Sequence, residues 1–207
     1  MGDQVTIKYI LAALILGCAA GYVNNNLLNV VPNSLISEQI FTLALVAVLF
    51  VFGFSFAIDK NAVDKIRKSG LRVVAFPFLV ALGSLIGGLF SGLFLQISFG
   101  GAMAVSSGYG WYTLSGPLMG QLLGPEWGTL GFTANFFREL ITITTIPLMV
   151  KLDRYAPVAS GGGTTMDTTL GIIVRYCGKD TVIVAFSNGL ILSLIAPFAT
   201  VALASLT

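Results

Sequence analysis

The chain has 207 residues, of which 56% are hydrophobic and 10% charged, and its mean hydropathy is +0.90. Soluble domains carry about 25% charged residues, so this composition cannot cover a water-facing surface and marks an integral membrane protein. A net charge of +2 argues against a nucleic-acid partner, and the absence of histidine removes the commonest general base and metal ligand, so no enzyme, metal centre or cofactor is expected.

A bilayer core of roughly 30 Å needs about 20 apolar residues per helix. Val5 to Val23 is the first such stretch. It contains Ile15-Leu16-Gly17-Cys18, loosely similar to a lipoprotein cleavage site, but Leu16 replaces the usual small residue and Lys8 is the whole basic region, so it is read as a span. Cys18 and Cys177 show no pairing or metal-ligand spacing and are read as packing residues. The further full spans are Leu35 to Ile58, Leu71 to Leu95, Gly128 to Val150 and Thr181 to Leu206. Gly100 to Leu123 and Tyr155 to Tyr176 are interrupted by glycine and hydroxyl residues and predict broken or re-entrant elements.

Lys60, Lys65, Arg67, Lys68 and Arg72 crowd the loop after the second span, whereas Asn24 to Ser34 holds no basic residue. The positive-inside rule then places the N terminus in the cytoplasm and the C terminus outside. The expected architecture is an all-α polytopic helical bundle of about five full spans and two broken elements, forming one transmembrane domain over residues 1–207. The broken elements enter from opposite faces, an arrangement from which many secondary transporters build a substrate site.

Along the third span, Gly83, Gly87 and Ser91 share one face and Ser84, Gly88 and Gly92 another, spacing that allows close helix approach. The first broken element reads Ser106-Ser107-Gly108-Tyr109-Gly110-Trp111-Tyr112-Thr113-Leu114-Ser115-Gly116-Pro117. Its Gly-Tyr-Gly is similar to a potassium filter, but such a filter needs four loops and a pore helix, so a cation channel is the alternative and not the expectation. Tyr109, Trp111 and Tyr112 suit a wall that stacks on an aliphatic ammonium, or a membrane-interface belt.

Glu139 lies eleven residues from each end of its span, hence about 16 Å from either, at the midplane. A charge there costs roughly 2.5 to 3.5 kcal/mol, which implies either a function or an ion pair that orients the helix. Asn135, Arg138, Glu139, Thr142 and Thr145 follow one helical stripe, yet Arg138 and Glu139 are adjacent and point about 100° apart, which makes them awkward partners. Asp167 is the second acidic residue expected at depth, after Gly161, Gly162 and Gly163. The three glycines predict unwound backbone, with Thr164 or Thr165 capping the half-helix that follows. Free N–H groups at such an end suit a substrate carboxylate, while Asp167 serves either a substrate or the helix dipole itself. Two carboxylates in a partly dry site can hold a cationic solute or exchange it for protons.

Ser106 to Gly116 (SSGYGWYTLSG), Phe136 to Ile141 (FFRELI) and Gly163 to Gly178 (GTTMDTTLGIIVRYCG) resemble, in order and spacing, the lysine exporter (LysO) family of inner-membrane transporters. The resemblance implies export of L-lysine across the cytoplasmic membrane in exchange for protons, through two intramembrane acidic residues that fall on Glu139 and Asp167. Family members commonly carry additional N-terminal spans, which implies a naturally short form, a homodimer or pairing with a small N-terminal-half membrane protein. Gly171 stands where the family often has proline.

Overall fold

The computed structural model describes residues 70–207 throughout, except the side chains of Leu71 and Arg72. It also describes Ala12, residues 15–17 and 19–24, Asn26, Leu43, Val46, Ala47, Phe50, Val51 and Phe54. The first two expected spans and the basic loop between Asp59 and Gly70 therefore lie, in whole or large part, outside the described residues, as does Cys18. The chain divides into two compact units, Met1–Ala47 and Val48–Thr207. In the first unit the described residues are helical.

The described part of the second unit is helical, with no strand among the described residues. Helix α1, Leu71–Leu95, ends at Gln96 in the left-handed conformation. It is followed by α2, Phe99–Ser106, whose N-cap Ser98 accepts from Gly101 N–H at 3.4 Å, and by α3, Tyr112–Leu123. Helix α4 covers Pro125–Leu152. Its ends obey elementary helix chemistry: Pro125 opens it, Glu126 sits in the positive first turn and Lys151 in the negative last turn. Then come α5, Ala156–Gly161, a 3-10 turn at Gly162–Met166, and α6, Leu170–Cys177. A second 3-10 turn at Lys179–Thr181 leads into α7, Val182–Ala204.

Among the described residues two helices are long and apolar enough to cross a membrane, Val73–Leu95 within α1 and Lys179–Ala204 around α7. At 28 residues α4 is about 42 Å long, ample for a bilayer, but its polar stripe lowers its hydropathy. Pro77, Pro147 and Pro197 lie inside α1, α4 and α7, a tolerance typical of membrane helices.

Both expected interruptions are present. Tyr109 and Gly110 take φ of 50° and 97° between α2 and α3, and Gly162 takes 63° between α5 and its 3-10 turn. The two breaks meet backbone to backbone, where Gly163 N–H donates to Tyr109 C=O at 2.7 Å. The small-residue stripes of α1 divide their work. A Cβ on Gly88 would meet the Ser106 side chain and, at 2.9 Å, the Ala102 carbonyl, so this face seats α2, whereas Gly83 and Gly87 have nothing within 4 Å.

The second unit also repeats itself. Val105, Ser107, Gly108, Gly110 and Asn135 recur 53 residues later as Val158, Ser160, Gly161, Gly163 and Asn188. One left-handed residue corresponds as well, Tyr109 with Gly162, whereas Gly110 has no left-handed counterpart at Gly163. In each copy the asparagine of the long helix bonds back across its own break. Asn135 Nδ2 donates to Val105 C=O at 2.9 Å, and Asn188 Nδ2 to Val158 C=O at 3.1 Å.

Candidate functional site

The stripe expected on α4 is real. Asn135, Glu139 and Thr142 are buried and Arg138 and Thr145 half-buried. Its members point to opposite flanks of the crossing.

One flank is acidic. Glu139 lies close to the Thr168 side chain and within electrostatic range of Asp167. The Asp167 carboxylate accepts the Thr168 N–H at 2.6 Å. Tyr112, half-buried at the start of α3, interacts with both carboxylates. Its ring packs edge-on against Phe132 and Phe136, with centroids 5.4 and 5.6 Å away. Thr168, next to Asp167 and close to Glu139, is a member that sequence reasoning missed. Asp167 itself is exposed on the surface of the isolated chain rather than buried with Glu139.

The other flank is basic. Arg138 Nε donates to Ser160 C=O at 2.8 Å, Nη2 to Ala159 C=O at 3.1 Å, and Nη1 to Ser84 Oγ at 2.9 Å. It pins the carbonyl end of α5 against α1 and α4 and does not pair with Glu139, as helix geometry requires. Ser160 Oγ reinforces this junction through Thr142 at 2.7 Å, and Thr142 Oγ1 also donates to Arg138 C=O at 2.8 Å.

Asn135 holds the first break. Its Oδ1 accepts Gly110 N–H at 2.7 Å, and its Nδ2 reaches Ser115 Oγ at 3.1 Å and Gly131 C=O at 2.8 Å. Asn188, unrecognised in the sequence, holds the second break, its Nδ2 reaching Gly162 C=O at 3.0 Å and Thr165 Oγ1 at 3.2 Å. Ser106 Oγ bonds Met103 C=O at 2.9 Å, and Ser107 Oγ bonds Ala104 C=O at 2.7 Å and lies 2.9 Å from Thr200 Oγ1, so both hydroxyls serve the end of α2. Trp111 is half-buried as N-cap of α3.

Three expectations are corrected. Thr164 and Thr165 do not cap a half-helix. Their hydroxyls donate backwards to Gly161 and Gly162 carbonyls, at 3.0 and 2.7 Å, because the backbone there is already a 3-10 turn, and Thr169 stands at the start of α6. Nor does the unwound strand offer free N–H groups at its glycines, since Gly162 N–H donates to Val158 C=O and Gly163 N–H to Tyr109 C=O. Tyr109 is no aromatic wall. Only 1% exposed, it is part of the crossing itself, and Tyr112 lies within electrostatic range of the acidic flank.

Long apolar helices and two broken ones, which meet backbone to backbone beside Glu139 and Asp167, fit a helical membrane protein with discontinuous helices. The chain belongs to the lysine exporter LysO family, whose model matches residues 11–204. It is 36% identical to the lysine exporter LysO of Escherichia coli (strain K12) over 155 residues, covering 74% of this chain and 51% of that protein. It is 29% identical to a putative lysine exporter of Haemophilus influenzae over 193 residues, covering 92% of this chain and 94% of that protein. The chain thus spans about half the length of the Escherichia coli relative. No solved structure matches it significantly.

Proposed function

We propose that this chain exports L-lysine, or a close cationic amino acid, across the cytoplasmic membrane in exchange for protons. The observation that carries the reading is the acidic flank: Glu139 and Asp167 lie within electrostatic range of one another beside Thr168, next to the crossing of two broken helices. Two carboxylates so placed supply a counter-charge for an ammonium group, and when the cation leaves, protons can take its place. Tyr112 and the Phe132–Phe136 pair give the aliphatic part of such a solute an aromatic wall. The names of both relatives support lysine as the solute. A homodimer, or a partner contributing further spans, would cover the exposed Asp167, since a carboxylate does not face lipid.

The test is lysine exchange by the purified chain in proteoliposomes. Glu139→Gln and Asp167→Asn are each expected to reduce lysine flux at least about tenfold, the loss of one charge contact of roughly 1.4 kcal/mol or more. Wild-type flux in both variants would remove the carboxylates from the mechanism.

A further inference from the structure

The two copies of the repeat are held together alike but meet one another differently. Within each copy the asparagine of the long helix bonds the same carbonyl, Asn135 that of Val105 and Asn188 that of Val158. Between the copies the equivalence fails. Ser107, at the C-cap of α2, pairs with Thr200 of α7 at 2.9 Å, and its mate Ser160, in α5, pairs with Thr142 of α4 at 2.7 Å. The register of 53 residues places the mate of Thr142 at Ile195, five positions before Thr200. At 1.5 Å per residue the first broken helix therefore sits about 7.5 Å further along its neighbour than the second does.

The breaks carry the same asymmetry. Gly163 N–H reaches across to Tyr109 C=O at 2.7 Å, while its mate Gly110 N–H stays within its own copy on Asn135 Oδ1, also at 2.7 Å. The reverse arrangement is close at hand: a Cβ on Gly110 would stand 3.2 Å from Gly161 C=O, much as one on Gly163 would stand 3.3 Å from Tyr109 C=O. Arg138 belongs to one arrangement alone. It ties the Ser160 and Ala159 carbonyls of the second copy to α4 of the first, and its own mate is the apolar Ile191.

We propose that the two copies move as rigid halves, that the structure holds one of two states, and that the other arises when the copies exchange roles. In the exchanged state Ser107 lies against Ile195 and Ser160 against Pro147, Gly110 N–H donates across to Gly162 C=O, and Gly163 N–H falls back on Asn188 Oδ1. The glycine hydrogen bonds are traded one for one, so the breaks slide past each other without losing any. The proposal rests on the transport reading above, in which α4 crosses the bilayer and the two copies enter from opposite faces. Exchanging their roles then turns access to the acidic flank from one face of the membrane to the other. Arg138 is a positioning residue here, a latch that favours the observed state.

The test is disulfide linking in a C18S/C177S background, read by peptide mass spectrometry in the same proteoliposomes that report lysine counterflow. Ser107→Cys with Thr200→Cys is expected to link in the observed state. Ser107→Cys with Ile195→Cys, and independently Ser160→Cys with Pro147→Cys, join positions that meet in the exchanged state. Both pairs are expected to link when an oxidant is added, with a loss of lysine flux that a reductant restores. Arg138→Gln is expected to speed the link between positions 107 and 195, and an unchanged rate overturns the latch. If neither pair links in variants that exchange lysine when reduced, or if flux survives either link, the exchange of roles is overturned and the export reading stands. Links that form in a chain without lysine exchange remove the export reading and keep the two states, whereas absence of both links and of exchange overturns both.

Discussion

Asn188 is fully buried, and its amide donates to three acceptors while its Oδ1 has no partner. The repeat accounts for this. In the first copy Asn135 Oδ1 accepts Gly110 N–H, and the matching donor in the second copy, Gly163 N–H, is drawn across to Tyr109 instead. The amide donors are the stabilising half of the residue. Asn188→Ala removes one hydrogen bond from each of the Val158 and Gly162 carbonyls, which keep Gly162 N–H and Thr165 Oγ1 as donors, and is expected to cost about 1–3 kcal/mol, seen as a lower unfolding midpoint in detergent. Gly162 is bound by conformation as well as space. At φ 63° and ψ −124° it occupies a region open essentially to glycine, and a Cβ would meet Tyr109 C=O and, at 2.9 Å, Arg138 Nη2. Gly162→Ala is expected to abolish stable folding, whereas Gly171→Ala, with nothing within 4 Å and an ordinary helical backbone, keeps the wild-type midpoint; thermal unfolding of the two variants side by side checks both. The sequence announced that glycines break the chain here, but not which of three consecutive glycines turns left-handed. That is decided by the tertiary contact with Tyr109.

At the scale of elements, helix α1 was legible to the residue, since Leu71 to Leu95 is an apolar run closed by polar residues at both ends. Helix α4 extends three residues earlier than expected, because Gly124, Pro125 and Glu126 start it more effectively than the apolar run does. What could not be read was which stripe of α1 meets a neighbour, as both carry small residues at the same spacing. The structure assigns close packing to Gly88 and Gly92, against Ser106, Ala102 and Phe99. Gly88→Leu is therefore expected to separate α1 from α2 and lower the unfolding midpoint by several degrees, while Gly83→Leu leaves it unchanged; a shift for Gly83→Leu of the same size would contradict the assignment. The polar stripe of α4 was legible as a stripe, and its division into an acidic and a basic flank follows from the 100° between Arg138 and Glu139. The partners on the flanks, Thr168 and the α5 carbonyls, are distant in sequence and carry no local signal.

For the whole molecule, the proposed exchange of lysine for protons requires flux to depend on the proton gradient. Lysine-loaded proteoliposomes are expected to release lysine faster when the outside is acid than when pH is equal on both sides, and an uncoupler should remove the difference. A flux indifferent to the gradient would leave facilitated diffusion as the mechanism. The internal repeat was present in the sequence as Ser107-Gly108-Tyr109-Gly110 and Ser160-Gly161-Gly162-Gly163, but four residues among 24 glycines are too short a match without the asparagines that follow. The hydrogen bond that joins the two copies, Gly163 N–H to Tyr109 C=O, involves main-chain atoms alone. Among coded residues only proline at Gly163 deletes the donor, and it adds a ring where a Cβ already meets Tyr109 C=O and Ser193 Oγ at 3.3 Å. An ester in place of the Gly163 amide removes the donor and leaves both side chains as they were. The centre of this protein is accordingly a place where peptide chemistry isolates a contact that substitution disturbs only together with its surroundings.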